Sequence, residues 1–446
     1  MKNKFLLPLM ILISITSCST SGTSILNYSN SSGQSGVSSF SSNSVIYKGF
    51  MLNNPEKEFN QTETTKSGAN YVSSLQSLSK DLYHKVFDGD NKVFSPISIA
   101  TCFSMLLEGA KEESKAELEA FLHYNDSFNH LNEIQNMLLR NSINDEKNET
   151  YLDICQSFWA DDSFKNDLKK NYVDKLTDYY YAEAFSGKLD SDQMHAALAD
   201  YINDKTHNFL NVKKDDFADY AGVLWLLNTI YLKSQWQDPF NEMSNKKDAF
   251  INLNGGEKEV TYMNDTHPSA YLKKDDYVIS SLFLKQGLRF NILLPNKGSN
   301  YSSILDSEQA INDLYSYVPY SSSNSVSAEI HYQIPQFKIQ KSIDLKELLQ
   351  SMGLSYIFDP ELANLRDIAE LKSNENLFVS KAKHEAGIEV KNEGLEAAAY
   401  TIIEVEKATS IQNPPVPIDF IVDHPFAYSI VNQDNIPLFT GVVTTL

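Results

Sequence analysis

The chain has 446 residues, 42% of them hydrophobic and 11% aromatic, with a formal net charge of -20. That is ample apolar material for a large core, which excludes a disordered polymer, and the acidic balance with no local Lys/Arg cluster excludes nucleic acid as a partner. No nucleophile elbow, paired-histidine zinc motif, phosphate loop or dinucleotide glycine fingerprint occurs, so no catalytic residue, metal ligand or cofactor is expected.

Met1-Lys2-Asn3-Lys4 precedes the apolar run Phe5 to Ile15, a basic start with a hydrophobic stretch too short for a permanent transmembrane helix. Residues 1–17 therefore read as a secretory leader. Ile15-Thr16-Ser17-Cys18 resembles a bacterial lipobox, in which Cys18 is acylated and becomes the mature N-terminus; a fortuitous cysteine after an ordinary signal peptide is the alternative. Acylation makes a membrane the partner of the chain, through a lipid anchor at the outer membrane or cell surface. Residues 18–68, rich in Ser, Asn, Gly and Thr from Ser19 to Lys66, carry no sustained periodicity and read as a flexible stalk. The folded domain is expected over 69–446. Cys102 and Cys155 lie in apolar segments and read as buried free thiols, not as a disulfide framework.

Val72, Leu75, Leu78, Leu82 and Val86 recur every three or four residues, which predicts an amphipathic helix from Ala69 to Phe87. Ser95-Pro96 supplies an N-cap and a first-turn proline to a second helix, which runs through Met105 to Leu107 and stops near Gly109. After Ala221 the pattern turns to strands: Val223 to Lys233, Tyr277 to Leu284, Phe290 to Leu294 and His331 to Ile339 are apolar or β-rich runs between polar and Gly/Pro punctuation. Leu224 to Leu227 suits a central strand covered on both faces. Asp344 to Met352 reads as a short helix with Asp344 as its cap. The class is α+β, with helices concentrated early, strands late, and no internal repeat.

Near the C-terminus, Asn392-Glu393-Gly394-Leu395-Glu396-Ala397-Ala398-Ala399-Tyr400-Thr401 is ambiguous on its own. Glu and three consecutive Ala favour helix, whereas alternate residues from Leu395 to Val405 give one apolar strand face and one polar face. The surroundings decide. Leu377 to Val390 leads directly into Glu393-Gly394, and Phe420-Ile421-Val422-Asp423-His424-Pro425-Phe426 follows. This order resembles the C-terminal signature of the serpins. Asn91 to Ile99, Leu106 to Lys111, Asn228 to Trp236, Ile292 to Pro295, Ile334 to Ile339 and Asp344-Leu345 extend the resemblance over residue 69 to the C-terminus.

The resemblance implies a single domain in which helices pack around a large central mixed sheet and two smaller sheets, with an exposed reactive-centre loop. It implies a monomeric suicide inhibitor of serine, and also cysteine, endopeptidases. The target forms an acyl-enzyme with the loop, and the cut loop enters the main sheet as an added strand. Glu393, Gly394, Leu395, Glu396, Ala397, Ala398 and Ala399 would form the hinge. Counting the family's usual distance from Gly394 puts the scissile bond at Ala408-Thr409, which suits an elastase-like target; a one-residue shift puts Lys407 before the cut and suits a trypsin-like one. Ser95, Ser98, Asn228, His384 and Trp236 match family positions that control opening of the sheet. Leu395 departs from the small residue usual at its place, and this departure motivates the alternative, a non-inhibitory member acting as protease substrate or binding module.

Overall fold

The computed structural model describes residues 7–19, 46–53, 68–126, 128–220, 222–321, 325–395 and 418–446. In chain order the strands begin with β1 (Leu7–Ser19), β2 (Met51–Asn53), β3 (Lys92–Phe94), β4 (Ile143–Asp145), β5 (Thr150–Asp161), β6 (Glu183–Gly187), β7 (Leu224–Gln235), β8 (Lys246–Ile251) and β9 (Glu257–Lys273). They continue with β10 (Tyr277–Phe283), β11 (Arg289–Pro295), β12 (Ser325–Pro335), β13 (Phe337–Asp344), β14 (Glu375–Lys391), β15 (Gly394–Leu395), β16 (Ile418–Ile421), β17 (Phe426–Val431) and β18 (Pro437–Val443). The helices are α1 (Ala69–Val86), α2 (Pro96–Leu107), α3 (Glu112–Phe121), α4 (His130–Arg140), α5 (Lys170–Asp178), α6 (Asp192–Lys205), α7 (Tyr301–Leu305), α8 (Glu308–Ser316) and α9 (Leu345–Ser351).

Helix α1 buries Leu75, Leu78, Leu82 and Val86, the stripe its spacing predicts. Ser95 caps α2 by accepting from the Ser98 backbone N–H, and Pro96 fills the first turn, where a missing N–H costs nothing. Asp344 caps α9 in the same way through the Lys346 N–H. Each of these starts is dictated by side chains within a few residues, which is why the sequence shows them.

The main sheet runs β13, β14, then a column shared by β15 and β1, then β7, β5, β6 and β2, with β4 beside β5. Strand β7 is buried from Leu224 to Leu232 because it is covered twice. Leu224, Leu226, Ile230 and Leu232 join the large core on the α2 side, while Trp225, Leu227 and Tyr231 join a second core with Met194, Leu198 and Tyr201 of α6. A strand clad on both faces reads as a continuous apolar run rather than an alternating one.

Several expectations need correction. Strands β5 and β6 lie in the early half, so the separation of helices from strands is incomplete. The two smaller sheets merge into one nine-stranded sheet, because β9 and β12 are long enough to pair along Leu272 to Tyr262 and bridge both. The run His331 to Ile339 breaks at Gln336 into β12 and β13, which belong to different sheets. Part of the expected stalk, Ile46–Phe50 and β2, packs on the body: β2 pairs with β6, and the buried Tyr47 donates to Asp204 Oδ2 at 2.7 Å. Cys102 is buried as expected, but Cys155 is half-buried. Residues Leu7–Ser19 lie within the main sheet as β1, antiparallel to both β14 and β7.

Candidate functional site: hinge, strand slot and shutter

Between β14 and β7 lies a column one strand wide, and at its upper end the chain turns back from β14 to enter it. Gly394 and Leu395 form β15, which pairs with Lys391 and Val390 on one side and with Gln235 and Ser234 on the other. The turn is possible because residue 394 is glycine. Its φ is +157°, and an added Cβ would sit 2.2 Å from the Ser234 carbonyl oxygen and 2.6 Å from Gln235 Cα, closer than any side chain tolerates. Leu395 is fully buried and joins the large core. Leu395, which departs from the small residue usual at its place, is thus seated in the sheet. Glu396, Ala397, Ala398, Ala399, Lys407, Ala408 and Thr409 lie outside the described residues.

The turn is held by amides. Asn392 donates to Asn245 Oδ1 at 2.8 Å and to the Phe240 carbonyl at 3.3 Å; its own Oδ1 accepts from Asn245 Nδ2 at 2.9 Å and from Gln336 Nε2 at 2.5 Å. Trp236 is buried beside it, donating from Nε1 to the Lys391 carbonyl and from its backbone N–H to the Glu393 carbonyl, each at 2.9 Å. Trp236 follows the end of β7 and ties it to the turn after β14. Asn392, Gln336 and Asn245 were not singled out by sequence, although a lone Gln336 between two apolar strand runs was a signal. The half-buried Glu393 is held above the ordinary carboxylate range, chiefly by burial, with repulsion from Glu242 adding to it.

Lower down, four predicted residues converge beneath the column. The Ser95 backbone N–H donates to His384 Nε2 at 3.1 Å, and the Ser98 hydroxyl donates to Asn228 Oδ1. All four are fully buried. His384 has its pKa pushed down to about 3 by burial, so the ring is neutral, and accepting at Nε2 places its proton on Nδ1. Neither His384 Nδ1 nor Asn228 Nδ2 finds a partner among the described residues. Cys18, the expected acylation site, lies in β1 opposite Asn376.

Among the described residues no three His, Cys, Asp or Glu side chains gather in metal-binding geometry. The one-strand slot holds β15 at its upper end and β1 below it.

Known proteins share this architecture. A profile described as serpin (serine protease inhibitor) matches residues 73–446. Serpin-Z10 of Arabidopsis thaliana is 29% identical over 397 residues, 85% of this chain and 98% of that one, and mouse neuroserpin is 28% identical over 80% of this chain and 86% of its own. Among solved structures, the thermophilic serpin tengpin in its native state superposes with a TM-score of 0.71 at 22% identity, covering 90% of this chain and 98% of that one. Human thyroxine-binding globulin in complex with its hormone superposes with a TM-score of 0.70 at 18% identity, covering 84% and 98%. At such identities the superpositions speak for the fold alone. A match across this much of the chain, on a fold with this sheet and hinge, shows that the protein belongs to the serpin family of serine protease inhibitors.

Proposed function

We propose that the protein is a suicide inhibitor of serine endopeptidases, extending to cysteine endopeptidases, and works by inserting its cut loop into the main sheet. The observation that carries this reading is β15: Gly394 and Leu395 already occupy the top of the slot between β14 and β7. In the proposed cycle the protease hydroxyl attacks the Ala408 carbonyl carbon and the bond to the Thr409 nitrogen breaks. The new amine takes a proton from the protease's base, and Ala408 remains as an ester on the enzyme. Residues beyond Leu395 then zip down the slot. About a dozen residues gaining ladder bonds at roughly 0.5 to 1.5 kcal/mol each amounts to on the order of 10 kcal/mol, enough to displace the tethered enzyme and distort its catalytic groups before water completes the reaction.

Ala408 before the cut favours an elastase-like target, and Lys407 one residue earlier favours a trypsin-like one. We further propose that residues 1–17 are a lipoprotein leader, that acylated Cys18 anchors the chain in a bacterial envelope at the outer membrane or cell surface, and that the inhibitor acts as a monomer. Leucine in place of the family's usual small residue at position 395 motivates a second reading, in which the loop is cut without trapping the protease and the protein serves as substrate or binding module.

Incubating the chain that starts at residue 18, carrying Cys18→Ser, with elastase-like and trypsin-like proteases separates the two. An SDS-stable adduct supports inhibition, and clean cleavage with full protease activity supports the second reading. The mass of the released C-terminal peptide identifies the cut bond.

A further inference from the structure

The slot that the loop needs is not empty below Leu395. Gly394 faces Gln235 and Leu395 faces Ser234, so extending this ladder brings Ala397 opposite Leu232, Ala399 opposite Ile230, Thr401 opposite Asn228, Ile403 opposite Leu226 and Val405 opposite Leu224. Strand β1 already holds those rows: Leu7 pairs with Leu232, Leu9 with Ile230, Ile11 with Asn228, Ile13 with Leu226 and Ile15 with Leu224. The other wall agrees. Extending β15 along β14 puts Ala399 opposite Ala386 and Thr401 opposite His384, the residues that face Leu9 and Ile11. A loop that continued the β15 ladder would share the direction, register and column of β1.

The match has a sequence basis. Residues 7–19 contain no charge, and Leu9, Ile11, Ile13 and Ile15 put branched residues in alternate rows, where the loop has Ala399, Thr401, Ile403 and Val405. Neighbouring strands stand about 4.8 Å apart, so one column takes one strand and the two occupants exclude each other.

We propose that the N-terminal segment Leu7–Ser19, while attached, fills the insertion slot in the loop's own register and holds the precursor unable to trap protease. Removal of residues 1–17 takes away all but the last two residues of that strand, so processing at Cys18 frees the rows from Leu232 downward. The contact restrains the inhibitor until it has left the compartment where it is made. This inference rests on the inhibitory reading above, and its test separates the two.

The full chain, produced without export so that the leader is retained, is compared with the same chain carrying Ile11→Pro and Ile13→Pro. The two prolines each remove a ladder N–H from β1 and leave the body untouched. The parent chain should be cut by protease without an SDS-stable adduct, and its melting temperature should not rise on nicking. The proline chain should melt several degrees lower, form the adduct, and gain stability when nicked. Adding a peptide of residues 7–19 bearing Cys18→Ser should restore the higher melting temperature of the proline chain and abolish its adduct. Equal melting of both chains with no response to the peptide overturns the leader contact, as does adduct formation by both. If the proline chain melts lower and takes up the peptide yet neither chain traps protease, the contact stands and the inhibitory reading falls.

Discussion

Asn228 and His384 stand on one row of the main sheet, on opposite walls of a slot a single strand wide, each paired with the same residue, Ile11, and each reaching down to a serine at the start of α2. Both also carry a buried donor without a partner among the described residues. The row is therefore polar and, among the described residues, incompletely satisfied on both walls of the slot.

If the cut loop continues the β15 ladder, Thr401 comes to this row, on the face shared with Asn228 and His384, since directly paired residues point the same way. A threonine hydroxyl can accept from either donor; a valine of the same shape cannot. Thr401→Val is expected to leave the intact protein unchanged and to lower the stability of the loop-cleaved form by about 1 to 3 kcal/mol. Denaturant unfolding of cleaved and intact protein measures the difference.

The His384 ring is kept neutral in the fold, with a pKa near 3 against an ordinary 6.5. A depressed folded value means that the unfolded chain binds the proton more readily, so stability is complete above about pH 6.5 and is lost as pH falls from there toward 3. His384→Gln should flatten that window and cost about 1 to 3 kcal/mol at pH 7 through the bond to the Ser95 N–H. Thermal melts across pH 4 to 7.5 report both effects.

Glu393 behaves with the opposite sign. Its folded pKa is raised, so the stability it contributes is complete below the ordinary glutamate value and is lost as pH rises through the folded value. Glu393→Gln is expected to raise the melting temperature at neutral pH and to change little at pH 4. A fall at neutral pH would show that the charged carboxylate, and not its burial, holds the turn.

At the hinge, Gly394→Ala forces a methyl against the Ser234 carbonyl and a backbone dihedral that alanine resists. The cost of about 1 to 3 kcal/mol is relieved by withdrawing Gly394 and Leu395 from the sheet. Limited proteolysis should then cut near the hinge faster than in the parent. Leu395→Glu goes further: a carboxylate at a fully buried position cannot enter, and covalent trapping should fall at least tenfold with cleavage retained.

Much of the fold is legible in the sequence alone. The caps at Ser95 and Asp344, the stripe of α1 and the double-sided burial of β7 are local, and local chemistry writes itself into spacing. Ser95, Ser98, Asn228 and His384 are tied together by hydrogen bonds at the start of α2. The amide cluster of Asn392, Gln336 and Asn245 was not legible, since its members lie up to 147 residues apart and each amide has many other uses. Nor was β1. A short uncharged run rich in isoleucine satisfies a secretory leader and a buried strand equally well, and only the register of its neighbours reveals that it sits in the loop's rows.

Freed of residues 1–17, the chain is expected to hold an unfilled strand position below Leu395 that its cut loop can occupy. Calorimetry of the residue-18 chain before and after a single cut in the loop tests it most directly. A melting temperature higher by ten degrees or more after the cut is the predicted result; an unchanged or lower one contradicts the account.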